Sequence, residues 1–321
     1  MSTITAGLLC RDEIERYSDL HAFVCVLEGD SSLFLRGQLR KRLIALDEID
    51  AGFGGFDSEN PARCADSRLQ ERAKVLRMRL EAVNRELYGS VRSDIVRGGE
   101  PRALLQWLED VASEDERRGV LPGLGFDSRD ELVSGVLQVP APGDPNLELS
   151  MEMVPYQPTP VRHILDLIAA AGVAEDDVFV DLGSGLGHVP LLVSLVTGAR
   201  SVGVEVEAAY VASAQGCAES LRLGRVQFIA QDARDADLSQ GSVFYLYSPF
   251  KGSILDEVLE ALRRESLRSP ITICSLGPCM QRVSSERWLK ARGLPDTGRI
   301  AVFDSHEPVD GSKRFLHPTT M

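Results

Sequence analysis

The most informative segment of this 321-residue chain is Val178-Phe-Val-Asp-Leu-Gly-Ser-Gly-Leu-Gly-His188. An apolar run leads into Asp181, and glycines follow at positions 183, 185 and 187. Glycines at a turn from a strand to a helix let the backbone approach a ligand closely and leave N–H groups at the helix start free to bind it. A dinucleotide-binding loop has the pattern G-x-G-x-x-G, but His188 stands where its third glycine would fall. An acid two residues before the first glycine would repel a pyrophosphate, and it suits a ligand that carries an ammonium group.

Polar residues also end the next two predicted strands. Glu205 lies where an acid can accept hydrogen bonds from both hydroxyls of a ribose, and Gln231-Asp232 lies where a polar pair can meet the edge of an adenine. Each feature alone is common in proteins without this function. An ammonium, a ribose diol and an adenine, met in that order by consecutive strand ends, describe S-adenosylmethionine.

Strands and helices alternate from about residue 150. Thr159-Pro160 predicts the start of a helix that Gly172 ends, and further helices are predicted over 207–223 and 254–267. This alternation predicts a parallel sheet with helices on both faces. Two more strands, Arg299–Phe303 and Lys313–His317, are joined by a polar loop and predict a hairpin at the sheet edge. The predicted parallel strands are Val178–Leu182, Ser201–Val206, Val226–Ala230, Ser242–Tyr247 and Ile271–Ser275.

The first 138 residues have a different pattern, typical of a helical domain. Apolar residues recur every three or four positions from Leu69 to Leu87, which predicts a long amphipathic helix whose apolar stripe packs in a core. Further helices are predicted over 12–27, 32–46 and 101–111. The basic residues at 36, 40, 41 and 42 are interpreted as a solvated helix face. Residues 139–149, rich in proline and glycine, predict a linker to the domain 150–321.

Residues 150–321 resemble a class I S-adenosylmethionine-dependent methyltransferase. The resemblance rests on Tyr156-Gln-Pro-Thr-Pro160 followed by the loop Asp181-Leu-Gly-Ser-Gly-Leu-Gly187. Similar elements occur in the non-SET histone lysine methyltransferases of the disruptor-of-telomeric-silencing type and in the lysine methyltransferases of the ATP synthase c subunit. The resemblance implies a Rossmann-like α/β fold with a seven-stranded sheet ending in a C-terminal hairpin, behind a mainly α-helical N-terminal domain. The first 138 residues match no family in this way.

The resemblance also implies roles for individual residues. Tyr156 and Thr159 would close over the cofactor, and Asp232 would hold its adenine. The methionine part and the ribose would be held by Asp181, Gly183, Ser184, Gly185, Gly187 and Glu205.

The fourth predicted strand ends in Tyr245-Leu-Tyr-Ser-Pro-Phe250, where this fold presents the methyl acceptor. Adenine-N6 methyltransferases carry two prolines and an aromatic residue here, whereas this chain has Ser248, one proline and Phe250. We therefore expect an apolar slot for a lysine, with Tyr156, Ser248 and Phe250 as candidate catalytic residues. A strand-to-helix turn with a buried aromatic residue is the alternative interpretation of this segment.

The charge and composition of the chain limit the classes of binding partner and the kinds of site that we expect. With 48 acidic and 35 basic residues the formal net charge is −13, which disfavours bulk nucleic-acid binding but penalises neither a basic protein partner nor a small molecule. The resemblance favours a protein substrate over a small molecule. No apolar run reaches the ~20 residues of a membrane span, and no spacing of histidines and cysteines predicts a metal site. The six scattered cysteines are typical of a cytoplasmic protein.

Two alternative functions are a small-molecule methyltransferase with a helical lid and a non-catalytic module that binds the cofactor. The oligomeric state is left open.

Overall fold

The protein is described from a computed structural model that covers residues 20–53, 67–98, 102–117, 127–142 and 151–306. Contacts between backbones divide the chain into two compact units. The first consists of Met1–Val139 with Pro160–Arg162 and Ser220–Arg222, and the second of Pro140–Thr159, His163–Glu219 and Leu223–Met321. Most of the predicted linker, residues 143–149, lies outside the described residues.

The described part of the first unit is helical. Along the longest helix, α3, the residues Leu69, Ala73, Leu76 and Leu80 are buried at the spacing of a helical stripe, as the sequence predicts. They pack with Phe23, Ile49 and other apolar side chains into one core. The elements are α1 (Leu20–Gly29), a 3-10 turn (Ser31–Phe34), α2 (Leu39–Phe53), α3 (Ser67–Val96), α4 (Arg102–Arg117) and α5 (Ser128–Leu137).

The helix predicted over 32–46 is interrupted. The side chain of Asp30 accepts hydrogen bonds from the N–H and the hydroxyl of Ser32, which stabilises a 3-10 turn, and extended backbone at Leu35 ends that turn before α2 begins. In the helix predicted over 12–27, residues 12–19 lie outside the described residues. Helix α5 starts with a capping box formed by Asp127 and Asp130, a signal that the sequence interpretation did not use.

The interpretation of the basic cluster as a solvated face is wrong for two of its members. Arg40 and Arg42 are only 4% and 0% exposed. The Arg42 guanidinium donates hydrogen bonds to the backbone carbonyls of Leu33 and Leu35 and to Oδ1 of Asn84, at 2.6 Å for the last. These bonds compensate the desolvation of a buried cation, so Arg42 is a structural residue.

The second unit contains a seven-stranded sheet in the order β3-β2-β1-β4-β5-β7-β6. The first five strands are parallel, and β7 runs antiparallel to both β5 and β6. The strands are β1 (Val178–Leu182), β2 (Arg200–Glu205), β3 (Val226–Ala230), β4 (Val243–Leu246), β5 (Thr272–Ser275), β6 (Leu289–Ala291) and β7 (Ala301–Ser305). Residues 151–306 also form the helices α6 (Val161–Ala171), α7 (His188–Thr197), α8 (Ala208–Ser220), α9 (Gly252–Ser266) and α10 (Cys279–Ser284), of which Val161, Arg162 and Ser220 are grouped with the first unit. The chain therefore has the α/β, Rossmann-like fold of class I methyltransferases.

The edge hairpin uses a different partner from the one predicted. Strand β7 includes most of the predicted run 299–303, but it pairs with the preceding β6, whose three residues include the exposed Lys290. So short a segment with a central lysine carries no alternating signal. The predicted strand Lys313–His317 lies outside the described residues.

No helix in the described ranges is long and apolar enough to cross a membrane. Within those same ranges, no group of three or more histidine, cysteine, aspartate or glutamate side chains could hold a metal ion.

Candidate functional site

The strand order places the site at the carboxyl end of β1. The chain continues from β1 to β2 on one side and returns to β4 on the other, so β1 lies where the order reverses. In the register, Asp181 is level with Gly203 of β2 and with Tyr245 of β4. Ligands of open α/β sheets bind in the crevice at such a reversal. Asp181 and the loop after it lie at that position.

The loop after β1 requires its glycines. Gly183, Gly185 and Gly187 have φ angles of +90°, +51° and +77°, which side chains disfavour. A Cβ atom on Gly185 would lie 2.2 Å from the ring of Tyr156, and one on Gly183 would lie 2.3 Å from Cβ of Pro249. The bare backbone thus forms a cradle closed by these two side chains.

Glu205 holds this loop from the end of β2. Its Oε2 accepts a hydrogen bond from the N–H of Gly185 at 2.8 Å, and its Oε1 accepts one from the N–H of Glu207 at 3.0 Å. The hydroxyl of Ser184 is buried and finds no hydrogen-bond partner in the described part of the chain. An unpaired buried hydroxyl costs free energy, and a ligand in the cradle would offer it a partner.

Asp181 is 3% exposed at the base of the loop. Burial raises the pKa of its carboxyl well above the ordinary value, and the charge of Glu205 raises it further. A cation placed beside Asp181 would stabilise its ionised form. The role of Asp181 as the partner of an ammonium group stays a prediction.

Tyr156 covers the cradle. Its ring contacts the Tyr210 ring edge-on, with 5.5 Å between centroids, and its hydroxyl lies 3.3 Å from Nδ1 of His188. Burial lowers the pKa of His188 to about 4. The sequence interpretation treated His188 mainly as a helix-start residue and gave Tyr210 no role, because nothing in the local pattern links residues 156, 188 and 210.

Thr159 is buried, and its hydroxyl lies 3.2 Å from the hydroxyl of Tyr245 on β4. It therefore joins the segment after Tyr156 to the middle of the sheet. A direct contact with a cofactor remains a proposal for this residue.

The acceptor segment after β4 differs from the expected slot. Ser248 has φ +45°, and its hydroxyl donates to the carbonyl of Leu276 at 3.1 Å and accepts from the N–H of Cys279 at 3.0 Å. Phe250 is 6% exposed and packs in the hydrophobic core, so its contact with a methyl acceptor stays a prediction. The alternative interpretation, a turn with a buried aromatic residue, agrees with the burial of Phe250 among residues of helix α9.

The same segment holds the chain that leads to Tyr156. The N–H of Val154 donates to the carbonyl of Pro249 at 3.0 Å, the N–H of Lys251 donates to the carbonyl of Glu152 at 2.9 Å, and Met153 forms an antiparallel bridge with Phe250. This short ladder brings the acceptor segment and the approach to Tyr156 together.

Asp232 follows β3 as predicted, but both of its carboxylate oxygens accept hydrogen bonds from the Arg234 guanidinium, at 2.9 and 3.0 Å. This pairing lowers the pKa of Asp232. An adenine amine would have to share this carboxylate with Arg234. The Asp-x-Arg spacing was visible in the sequence and could have indicated the pair.

The residues present fit S-adenosylmethionine. Asp181 could hold the ammonium group, Ser184 and the glycine backbone could hold the rest of the methionine part, and Glu205 could accept from the ribose hydroxyls. The fit rests on the glycine backbone, on which a Cβ would collide with Tyr156 or Pro249, and on the buried Ser184 hydroxyl that has no partner among the described residues.

The comparisons with known proteins point to the same class of enzyme. The family model of the histone methylation protein DOT1 matches residues 154–244, from the segment before Tyr156 into β4. No curated protein matches the chain.

Several solved structures are similar to about half of the chain or less. An RNA methyltransferase from Salinibacter ruber in complex with S-adenosyl-L-homocysteine is 26% identical over 49% of this chain and 98% of that chain, with a TM-score of 0.38. The tRNA (uracil-54, C5)-methyltransferase of Pyrococcus abyssi is 15% identical over 46% of this chain and 39% of that chain, with a TM-score of 0.37. These TM-scores are low, so the enzyme class follows from the strand order, the glycine cradle and the family match. The chain is an S-adenosylmethionine-dependent methyltransferase of the class I fold.

Proposed function

We propose that this protein methylates the side-chain nitrogen of a lysine in a protein. The carrying observation is the match of residues 154–244 to the histone methylation protein DOT1, since the matched range contains both Tyr156-Gln-Pro-Thr-Pro160 and the glycine loop. The formal net charge of −13 also favours a basic protein over a polyanion as the partner.

The acceptor segment supports a lysine more than an adenine. An adenine amine is hardly basic and needs a strong acceptor for its hydrogen. The Ser248 hydroxyl already donates to Leu276 and accepts from Cys279, and the single proline leaves less surface for stacking a base. A lysine needs only a narrow, poorly hydrated channel and an oxygen that orients its neutral amine.

The reaction requires a neutral lysine. The cofactor supplies a methyl group on a positively charged sulfur, and the amine must approach it in line. Removing a proton from a lysine with the ordinary pKa of about 10.4 costs about 4.6 kcal/mol at pH 7. Partial burial raises the pKa of both Tyr156 and Tyr247. The same poor hydration would lower the pKa of a lysine entering beside them.

Within this mechanism, the chain contributes mainly position. Asp181 and Glu205 would fix the two ends of the cofactor's methionine and ribose part, and Tyr156 would exclude water from the cradle. Alignment of reacting groups can contribute roughly 7–11 kcal/mol to lowering a barrier.

The test is methyl transfer from labelled cofactor to three acceptor classes, namely core histones with other basic proteins, RNA and DNA oligonucleotides, and a small-molecule extract. We expect label in protein, on lysine by mass spectrometry, and a rate that rises between pH 7 and 9 as the neutral amine becomes more populated. Label only in nucleic acid, or only in small molecules, would overturn the lysine proposal. Gly185→Arg serves as the negative control, because an arginine side chain would block the glycine cradle and this variant should transfer no label.

A further inference from the structure

We propose that His188 positions Tyr156 over the glycine cradle by accepting a hydrogen bond from its hydroxyl, and that this pair sets how tightly the cofactor is held. The inference rests on the cofactor and not on the lysine, so it holds for any methyl acceptor. His188 is the first residue of α7, at the place where a dinucleotide-binding loop would carry its third glycine.

Both partners of this hydrogen bond are uncharged at pH 7. The Tyr156 oxygen and the His188 Nδ1 are 3.3 Å apart, and burial lowers the pKa of the imidazole to about 4, so the ring is neutral at pH 7. Burial also raises the pKa of the Tyr156 hydroxyl, which therefore keeps its proton. A neutral imidazole has one donor and one acceptor nitrogen. In the proposed arrangement the phenol is the donor and Nδ1 the acceptor, which requires the imidazole proton on Nε2.

This bond holds the hydroxyl end of Tyr156, which the other contacts described for this residue do not hold. The ring lies against Gly185 and makes an edge-type contact with the Tyr210 ring. The preceding backbone is held by the ladder between 152–154 and 249–251. These contacts locate the ring, and among the residues that the structure describes His188 is the hydrogen-bonding partner of the hydroxyl end. Without it the ring can turn away from the cradle more often, and a bound cofactor would dissociate faster.

The test is a double-mutant cycle on the whole chain. Calorimetry measures the Kd of S-adenosylhomocysteine for the wild type, Tyr156→Phe, His188→Leu and the double variant. Loss of one neutral hydrogen bond should weaken binding about fivefold in each single variant, and the double variant should be no weaker than either. His188→Asn should bind nearly as tightly as the wild type, because the asparagine oxygen stands close to the position of Nδ1. The matched control, His21→Leu in the first unit, should leave the Kd unchanged.

A second measurement uses the wild-type protein, so it does not depend on the folding of a variant. Long-range proton–nitrogen NMR of the free protein should show His188 as the neutral tautomer protonated on Nε2. Protonation on Nδ1, additive losses in the double variant, or unchanged affinity in both single variants would overturn the proposal. Failure of the wild type to bind S-adenosylhomocysteine would instead contradict the cofactor assignment itself.

Discussion

Asp181 gives the cofactor site a pH dependence. Burial and the charge of Glu205 hold the pKa of Asp181 well above the ordinary value of about 3.9. At pH values between the ordinary and the raised pKa, the free protein therefore keeps this carboxyl protonated. An ammonium group favours the ionised form, so binding must then release a proton. We expect affinity for S-adenosylhomocysteine to increase as the pH rises through this window and to level off once Asp181 is ionised in the free protein. Calorimetry in buffers with different heats of ionisation measures the proton release. Binding without proton release, or an unchanged pH profile in Asp181→Asn, would contradict the assignment.

Glu205 is expected to act both on the ribose and on the loop. Glu205→Ala removes the acceptors for the N–H groups of Gly185 and Glu207 as well as those proposed for the ribose, so we expect cofactor binding to weaken by about 1.5–3 kcal/mol. Glu205→Gln retains one oxygen acceptor and should lose less. Calorimetry measures the affinities, and thermal unfolding verifies that each variant is folded. Equal affinity for wild type and Glu205→Ala would exclude the ribose role.

Among the elements, the turn after β4 carries a buried aromatic residue, Phe250, whose substitution we expect to affect stability. Because Phe250 lies in the core under α9, we expect Phe250→Ala to lower the free energy of unfolding by about 3–5 kcal/mol, and Phe250→Leu to cost clearly less. Chemical denaturation measures both values. A large fall in kcat of Phe250→Ala at unchanged stability would instead indicate that the Phe250 ring contacts the methyl acceptor, as the sequence predicts.

The elements also show what a sequence pattern can predict. The first five strands were predicted to within about one residue, because apolar and β-branched runs bounded by glycine and polar residues mark buried parallel strands. Strand β6 was missed because three residues carry no period. The burial of Arg42 and the pairing of Asp232 with Arg234 depend on tertiary and short-range side-chain contacts that periodicity does not report. Likewise, the motif predicted Tyr156 as a cover, whereas its contact with His188 required the fold.

At the scale of the whole molecule, the cofactor residues and the helical half fall in different parts of the chain. Asp181, Ser184, Glu205 and the cover Tyr156 all lie in the second compact unit, and each contact described for them is made with residues of that unit. We propose that residues 1–138 serve substrate recruitment and contribute nothing essential to cofactor binding.

A truncated protein starting at residue 146 tests this division. If the second unit folds alone, it should bind S-adenosylhomocysteine with nearly the affinity of the full chain, because it keeps the cradle, Asp181 and Glu205. It should methylate the native protein acceptor much more slowly, while transfer to a short lysine peptide at high concentration should fall less, since a small acceptor depends less on recruitment. Calorimetry, circular dichroism and label transfer measure these three properties. Loss of cofactor affinity in a truncated protein that remains folded by circular dichroism would show that the helical half supports the cofactor site itself. If truncation lowers the rate on the native protein no more than the rate on the short peptide, residues 1–138 have no role in recruitment.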